Sequence, residues 1–586
     1  MYTLGISCFY HDSSACLLKD GKVQCAIQEE RLTRKKNDDS FPIHSIRKCL
    51  EFEGITIDQI ESVVYYEKPF IKFERIVETY LIFSRINLLF FFKSASIWMK
   101  EKLFLKRLIL KQLKREGLEI SKNKLLFCEH HISHAASAFY YSPFQKALVL
   151  NIDGVGEWST TTLMIGEGQQ LSKVQEISFP HSLGLLYSCI TSFLGFKVNS
   201  DEYKVMGLAS YGKPLYKKLI VKNLIDIKND GSYRLNLRYF NFGDTKWMFT
   251  KQLGKLFQIQ PRKSDESLQQ FHADIAKSIQ EVLEEILILM VNKAVEKYAI
   301  NDLCMSGGVA LNCVANGRIL KESKIKRIWI QPASGDAGGS LGAGAYVSAH
   351  LHGLSVRSDK PFNPYLGPSY KSFSPNKHEL SEFEVRKIEN RQTLNELVAD
   401  LVSEGKVVGW FQDRMEFGPR ALGNRSIIAD PRDENMISVL NLKVKFRESF
   451  RPFAPAIMEE YAGEYFEKIT HSPYMLLVDQ LRADKLRETA KKYEGFESIK
   501  ECRSVVPAIT HVDNSARIQT VTRESNEKFY ELIEAFYKKT GVPMLINTSF
   551  NLKDEPIVCS PVDALRCFRK TNIDALVIND YLILKK

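Results

Sequence analysis

Short apolar runs at the N-terminus are broken by polar loops at a regular spacing. Leu4–Phe9, Ala15–Leu18 and Val23–Gln28 are separated by His11-Asp12-Ser13-Ser14 and by an Asp20-Gly21 turn, which predicts strand, loop, strand, tight turn, strand. The same order returns at Leu148–Ile152, Thr160–Ile165 and Leu171–Ile177, with Asp153-Gly154-Val155-Gly156-Glu157 in the first loop. Two copies of one unit predict a duplicated α/β fold whose small-residue loops face each other across a cleft.

The pattern then becomes helical. An amphipathic helix is predicted over Ser267–Tyr298, followed by strand Leu303–Met305, a Ser306-Gly307-Gly308 turn and helix Val309–Leu320. Strand Ile328–Gln331, a loop over 332–340 and helix Leu341–Ala349 complete this part. Strand–glycine turn–helix units bring backbone N–H groups and a helix start to one point, which suits a phosphate or an adenine nucleotide. Residues 213–264 show no clear period and read as a polar, irregular insertion. Gly353, Pro361, Pro364, Gly367 and Pro368 cluster without hydrophobic period, which divides the chain into residues 1–355 and 356–586. His350 and His352, just before that boundary, read as solvent-facing.

The second part has a different texture. Strand Val407–Phe411 runs into Arg414–Ser426, and Lys443, Lys445, Arg447 and Arg451 follow among prolines, glycines and apolar residues. Cations spaced in that way predict an enclosed pocket for a small, highly anionic substrate, since guanidinium forks bind phosphate and carboxylate bidentately. A nucleic-acid surface would spread its basic residues and interleave exposed aromatics.

Composition narrows this picture only a little. The chain has 586 residues, 44% hydrophobic and 26% charged, which is ordinary for a globular protein and too long for one core. The net charge of +11 is mild for the length. Eleven cysteines lie without zinc-ribbon spacing, which predicts reduced thiols and a cytoplasmic location; no signal peptide is expected. Tyr80–Leu110 is apolar but interrupted by Arg85, Lys93, Lys100 and Lys102, so a helical insertion packed on the body is predicted rather than a transmembrane span.

Candidate chemistry centres on Glu129–Ser137, which holds three of the twelve histidines. On a helix His130 and His134 stand at i and i+4 on one face and can share a metal ion, while His131 points elsewhere. Asp153 and Asp336, each beside glycines, are the candidate oxygen ligands; the alternative is that both cap turns or helices. Two imidazoles and two carboxylates suit iron, manganese or zinc better than magnesium.

The N-terminal hairpins resemble the phosphate loops of the actin, sugar-kinase and heat-shock-ATPase superfamily. More specifically, His11–Ala15, His130–His134, Asp153–Glu157, Glu202–Ala209, Arg414–Ser426, Lys445–Pro455 and Asn547–Asn551, taken in order, resemble the O-carbamoyltransferases of the nodulation protein U, cephalosporin and aminoglycoside carbamoyltransferase type. That resemblance implies an actin-like N-terminal domain similar to the tRNA threonylcarbamoyltransferase and an α+β, YrdC-like C-terminal domain. It implies that carbamoyl phosphate and ATP, with Mg, give carbamoyl-adenylate in the second domain. The first domain then passes the carbamoyl group to a hydroxyl of a sugar, glycan or secondary metabolite. Arg420, Arg425, Lys445, Arg447, Arg451, Arg517 and Asn547 would bind ATP and carbamoyl phosphate. Lys36, Gly307, Gly308 and Asn312 would bind the adenylate, and a metal, iron(II) first, would sit on His130, His134, Asp153 and Asp336. His11 is the candidate base, with a plain loop histidine bonded to Asp12 as the alternative. Asn424 stands where the family often has histidine, and it is given no role. The partners expected are these small molecules, not nucleic acid; homo-oligomerisation is left open. A metal-dependent kinase of the actin fold and a nucleotide-binding scaffold are the rival functions.

Overall fold

The computed structural model describes residues 1–83, 104–242, 247–371, 373–374, 380–445, 447, 450–488 and 493–586. Its first half contains one sheet twice. The strands β1 (Tyr2–Ser7), β2 (Ser14–Lys19), β3 (Lys22–Gln28), β4 (Ile60–Tyr65) and β5 (Leu125–Phe127) lie in the order β3-β2-β1-β4-β5. The first three are antiparallel neighbours, and β4 and β5 join parallel to β1.

The second sheet is built from β6 (Lys146–Ile152), β7 (Ser159–Glu167) and β8 (Gln170–Ser178). After a hairpin of β9 (Ile225–Ile227) and β10 (Tyr233–Leu235), it is completed by β11 (Asp302–Ser306) and β12 (Arg327–Ile330). Its order, β12-β11-β6-β7-β8, and its pattern of parallel and antiparallel pairs repeat those of the first sheet. The duplicated actin-like arrangement expected from the two hairpins is therefore present. Strand β1 gives way to loop 8–13 and β6 to loop 153–158, so the two polar loops occupy matching positions in the two sheets.

Helices His130–Phe139 and Ala337–His350 lie against each other between these sheets. Their small residues allow a very close approach. A Cβ added at Gly342 would stand 1.7 Å from the Ser133 carbonyl oxygen, and one at Gly5 1.9 Å from that of Ser340. Gly342→Ala must therefore force the helices apart, with a loss near or above the top of the ~1–3 kcal/mol range for overpacking. A denaturant melt measures it, and loss of metal binding should accompany it.

Two expectations need correction. Residues 213–264 are not irregular: helices Lys217–Asn223 and Lys251–Phe257 and the β9–β10 hairpin bury Ile220, Leu224, Tyr233, Leu253 and Phe257 in the main core. Their short elements are too brief to show a period. Helix Ala337–His350 also starts four residues before the predicted Leu341, because glycines and alanines mask its periodicity. Part of the Tyr80–Leu110 insertion lies outside the described residues. On either side of that gap the chain is helical, at Pro69–Phe83 and Leu105–Arg115, and the latter buries Leu105, Ile109 and Leu113. Among the described residues no helix is long and apolar enough to cross a membrane.

The second half is organised on a mixed sheet of nine strands in the order β13-β21-β20-β14-β15-β19-β16-β18-β17. They are β13 (Phe383–Lys387), β14 (Val408–Phe411), β15 (Arg425–Ala429), β16 (Ala454–Met458), β17 (Leu477–Gln480), β18 (Ser515–Val521), β19 (Met544–Ser549), β20 (Ala575–Ile578) and β21 (Tyr581–Lys585). The boundary stretch from Gly353 to Pro368 is packed on the first half: Val356, Phe362 and Leu366 are buried with Ala135, Phe139 and Leu341. Helix Cys313–Glu322 spans the seam. A Cβ at Gly317 would lie 2.2 Å from the Val478 carbonyl, and Lys321 pairs with the buried Asp479 at 2.5 Å.

Candidate active site

Four side chains meet at the first cleft. His130 and His134 leave one face of their helix, so their Nε2 atoms come within 3.1 Å of each other. Asp153, on the loop after β6, places Oδ2 3.0 Å from the first and 3.2 Å from the second. Asp336, at the start of helix Ala337–His350, places Oδ1 3.8 and 3.7 Å from them. All four ligand atoms lie within 4.8 Å of one another.

This donor set fits a divalent cation. Two imidazole nitrogens in contact can share only one proton, whereas a cation satisfies both of them and the carboxylates together. The outer carboxylate oxygens are occupied. Asp153 Oδ1 accepts from the backbone N–H of Gly154 and Gly308, and Tyr66 donates to Asp336 Oδ2 at 3.2 Å. Each carboxylate is thereby turned with one oxygen inward. Packing fixes the rings: a Cβ at Gly156 would lie 3.0 Å from Cδ2 of both His130 and His131. His131 turns away to Thr162 at 2.9 Å. Glu157 accepts the His130 backbone N–H at 2.9 Å and so fixes the start of the helix.

Charge is concentrated here. Burial alone would raise Asp153, but His130 and His134 hold it well below the usual carboxylate range. Burial would lower His11, yet Asp336 and Asp12 push it up to about 10. His11 Nδ1 stands 3.1 Å from Asp12 and its Nε2 3.8 Å from Asp336.

A cavity of about 390 Å³ opens from this cluster. His11, Lys36, Asp153, Gly308, Asn312 and Asp336 line one end, and Arg420, Arg451 and Ser549 reach it from the second half. Gly307 supports the wall instead: with φ of 88°, it lies so close to Ile152 that a Cβ would be 2.3 Å from its carbonyl oxygen. Asn312 is tied on both sides, capping Ala315 N–H at 3.0 Å and exchanging hydrogen bonds with Gln280.

A second cavity of about 150 Å³ adjoins the first, and Tyr203, Met206, Pro419, Arg420, Arg451 and Ser549 line both. Arg420, Arg447, Arg451 and Arg517 surround it, and no carboxylate lines it among the described residues. Burial lowers Arg420 to about 9, and repulsion from Arg517 and Arg451 adds to the effect. Guanidinium groups converging on one cavity favour an anionic ligand there.

The sequence carries the matching signature. Residues 2–345 match the carbamoyltransferase N-terminus family, and residues 399–585 match the carbamoyltransferase C-terminus family. The chain belongs to the carbamoyltransferase family. An uncharacterized protein of Synechocystis, sll1178, is 50% identical to this carbamoyltransferase over 100% of its chain and 97% of the relative's. The nodulation protein NolNO of Sinorhizobium fredii is 37% identical over 99% and 79% respectively. Among solved structures, component A of the (R)-2-hydroxyglutaryl-CoA dehydratase of Acidaminococcus fermentans is 15% identical and has a TM-score of 0.34, covering 60% of this chain and 99% of its own. The repeated strand order, rather than that distant likeness, establishes the fold.

Three of the cations and amides expected in the carbamoyltransferase pocket do not line either cavity. Arg425 is fully buried over the Phe411 ring, and its guanidinium donates to the carbonyls of Gln412, Asp413, Asn424, Pro368 and Cys559. It organises the loop that carries Arg420 and has no N–H left for phosphate. Arg425→Ala should cost at least ~3 kcal/mol through stranded carbonyls, read as a fall in melting temperature. Lys445 is buried against Ser549 and Asn551, holding the Ser549 carbonyl at 2.5 Å. Asn547 is buried against Ala421 and Gln519 at 3.1 and 2.6 Å. Both support the pocket wall from behind. Tyr66, Glu157 and Tyr203 received no individual role from the sequence, although Glu157 and Tyr203 fall within the Asp153–Glu157 and Glu202–Ala209 runs.

Proposed function

We propose that this carbamoyltransferase is an ATP-dependent O-carbamoyltransferase acting in two stations. The observation that carries the reading is a cavity lined by Arg420, Arg447, Arg451 and Arg517 that shares a wall with a larger cavity, lined by Asp153 and Asp336 of the His/Asp quartet. In the smaller one, Arg420, Arg447, Arg451 and Arg517 bind the phosphates of ATP and carbamoyl phosphate and stabilise charge during activation. Carbamoyl phosphate, ATP and one water give carbamoyl-adenylate, pyrophosphate and phosphate. Adenylation converts a poor electrophile into one with a good leaving group, and a continuous cavity keeps the labile product from bulk water.

In the larger cavity the acceptor oxygen attacks the carbamoyl carbon, the bond to AMP breaks, and the acceptor proton passes to a base. His11 is placed for that role once the negative charge at Asp336 is offset. His130, His134, Asp153 and Asp336 would hold the divalent metal, iron(II) by its donor set with manganese or zinc as alternatives. When bound, it supplies positive charge for the adenylate phosphate and Lewis acidity. Lys36 and Gly308 face the same space as adenylate contacts.

Purified protein with ATP, Mg, carbamoyl phosphate and a panel of hydroxyl acceptors tests the reading. AMP, pyrophosphate and a carbamate-sized mass gain on the acceptor are expected. ADP would mean a kinase, and tight nucleotide binding without turnover would mean a scaffold.

A further inference from the structure

We infer that His511 is a further phosphoryl-binding residue of the arginine cavity, donating a hydrogen bond from Nε2 to a phosphate oxygen of the bound substrate. The inference deepens the proposed function and rests on it for the identity of the substrate.

His511 sits in a tight turn leading into β18. Its backbone N–H donates to the Ser515 carbonyl at 2.8 Å, Asn514 N–H returns to the His511 carbonyl at 2.9 Å, and Asn514 takes a left-handed φ of 62°. Arg517 follows as the third residue of β18, so turn and strand deliver imidazole and guanidinium to one cavity. The ring is only 9% exposed, and Tyr211 packs edge-on to it at 5.5 Å. Tyr211 is itself fixed by its hydroxyl on the Phe450 carbonyl at 3.1 Å.

The two ring nitrogens differ. Nδ1 faces Asp513 Oδ1 at 3.6 Å. That same Oδ1 is held by its own turn, accepting from Ser515 N–H at 3.1 Å and from its hydroxyl at 2.6 Å. Nε2 is buried and has no hydrogen-bond partner among the described residues, although the residue lines the cavity. With a proton on Nε2, the ring presents a hydrogen-bond donor to the cavity. A buried N–H without an acceptor is costly, and a cavity bounded by Arg420, Arg447, Arg451 and Arg517 is where an anionic oxygen would supply one.

The phosphate could belong to carbamoyl phosphate or to ATP, and the two are separable kinetically. In the full-length protein, His511→Ala should raise KM for one of them by ~10–100-fold, the effect of losing one hydrogen bond to a charged group, with a smaller change in kcat. His511→Gln, which keeps an Nε2 donor, should recover most of that loss. The same order should hold for the affinity of inorganic pyrophosphate measured by calorimetry. A rise in KM for carbamoyl phosphate places the contact on that substrate, and a rise for ATP places it on the nucleotide. The inference is overturned if the alanine variant binds pyrophosphate as wild type does, or if kcat falls while both KM values stay unmoved. Should wild-type protein make no AMP at all, the proposed reaction fails, while pyrophosphate titration still reads His511 independently.

Discussion

Arg517→Ala is expected to reduce formation of AMP and pyrophosphate by at least ~10²–10³-fold, the scale of losing one preorganised charge at a developing anion. The loss should persist when acceptor is omitted. Arg517 is the informative choice because it lines only the smaller cavity, whereas Arg420 and Arg451 border both. Substituting either of those would blur activation with transfer. The alanine variant should fold, since burial and the repulsion of Arg451 already hold the Arg517 guanidinium below its ordinary range. Removing it relieves a cost in the empty protein. Quantified pyrophosphate release, with and without acceptor, decides the matter. If release is normal and only the carbamoylated product disappears, the arginine cavity is not where activation occurs.

His130→Ala should do the opposite. Pyrophosphate release should continue, AMP should appear by hydrolysis of unused adenylate, and carbamoylated acceptor should fall below detection. Metal content should fall with it, because two carboxylates and one imidazole remain from a four-donor cluster. His131→Ala is the control, its ring being turned to Thr162. It should keep both metal and transfer. Equal loss of pyrophosphate release in His130→Ala and Arg517→Ala would mean a single station rather than two.

Much of this geometry was legible in the chain. Two matching runs of strand, loop and hairpin declared the duplication, because strands buried on both faces, as β1, β2 and β6 are, write continuous apolar runs that polar loops then break. The spacing of His130 and His134 declared a shared helical face. Glycine loops marked Asp153 and Asp336 without showing that they would meet, since nothing local records a contact across almost two hundred positions. Arg425 was misplaced for a related reason. A guanidinium that holds backbone carbonyls and one that waits for phosphate look alike in sequence; only the fold shows which N–H groups are already taken. The same holds for Lys445 and Asn547, which act from behind the wall. Residues 213–264 misled because their elements are three to seven residues long, too short for any period to emerge.

The long separation between the four cation donors has a bearing on biosynthesis. Synthesis delivers His130, His134 and Asp153 together, but Asp336 comes 183 positions after Asp153 (336 minus 153). The helix it begins is also the one whose Gly342 must nest on Ser133 before the imidazoles are held. A nascent polypeptide therefore lacks a complete binding centre until most of its first half has left the ribosome. Ion loading on the full four-donor set should therefore be a late event.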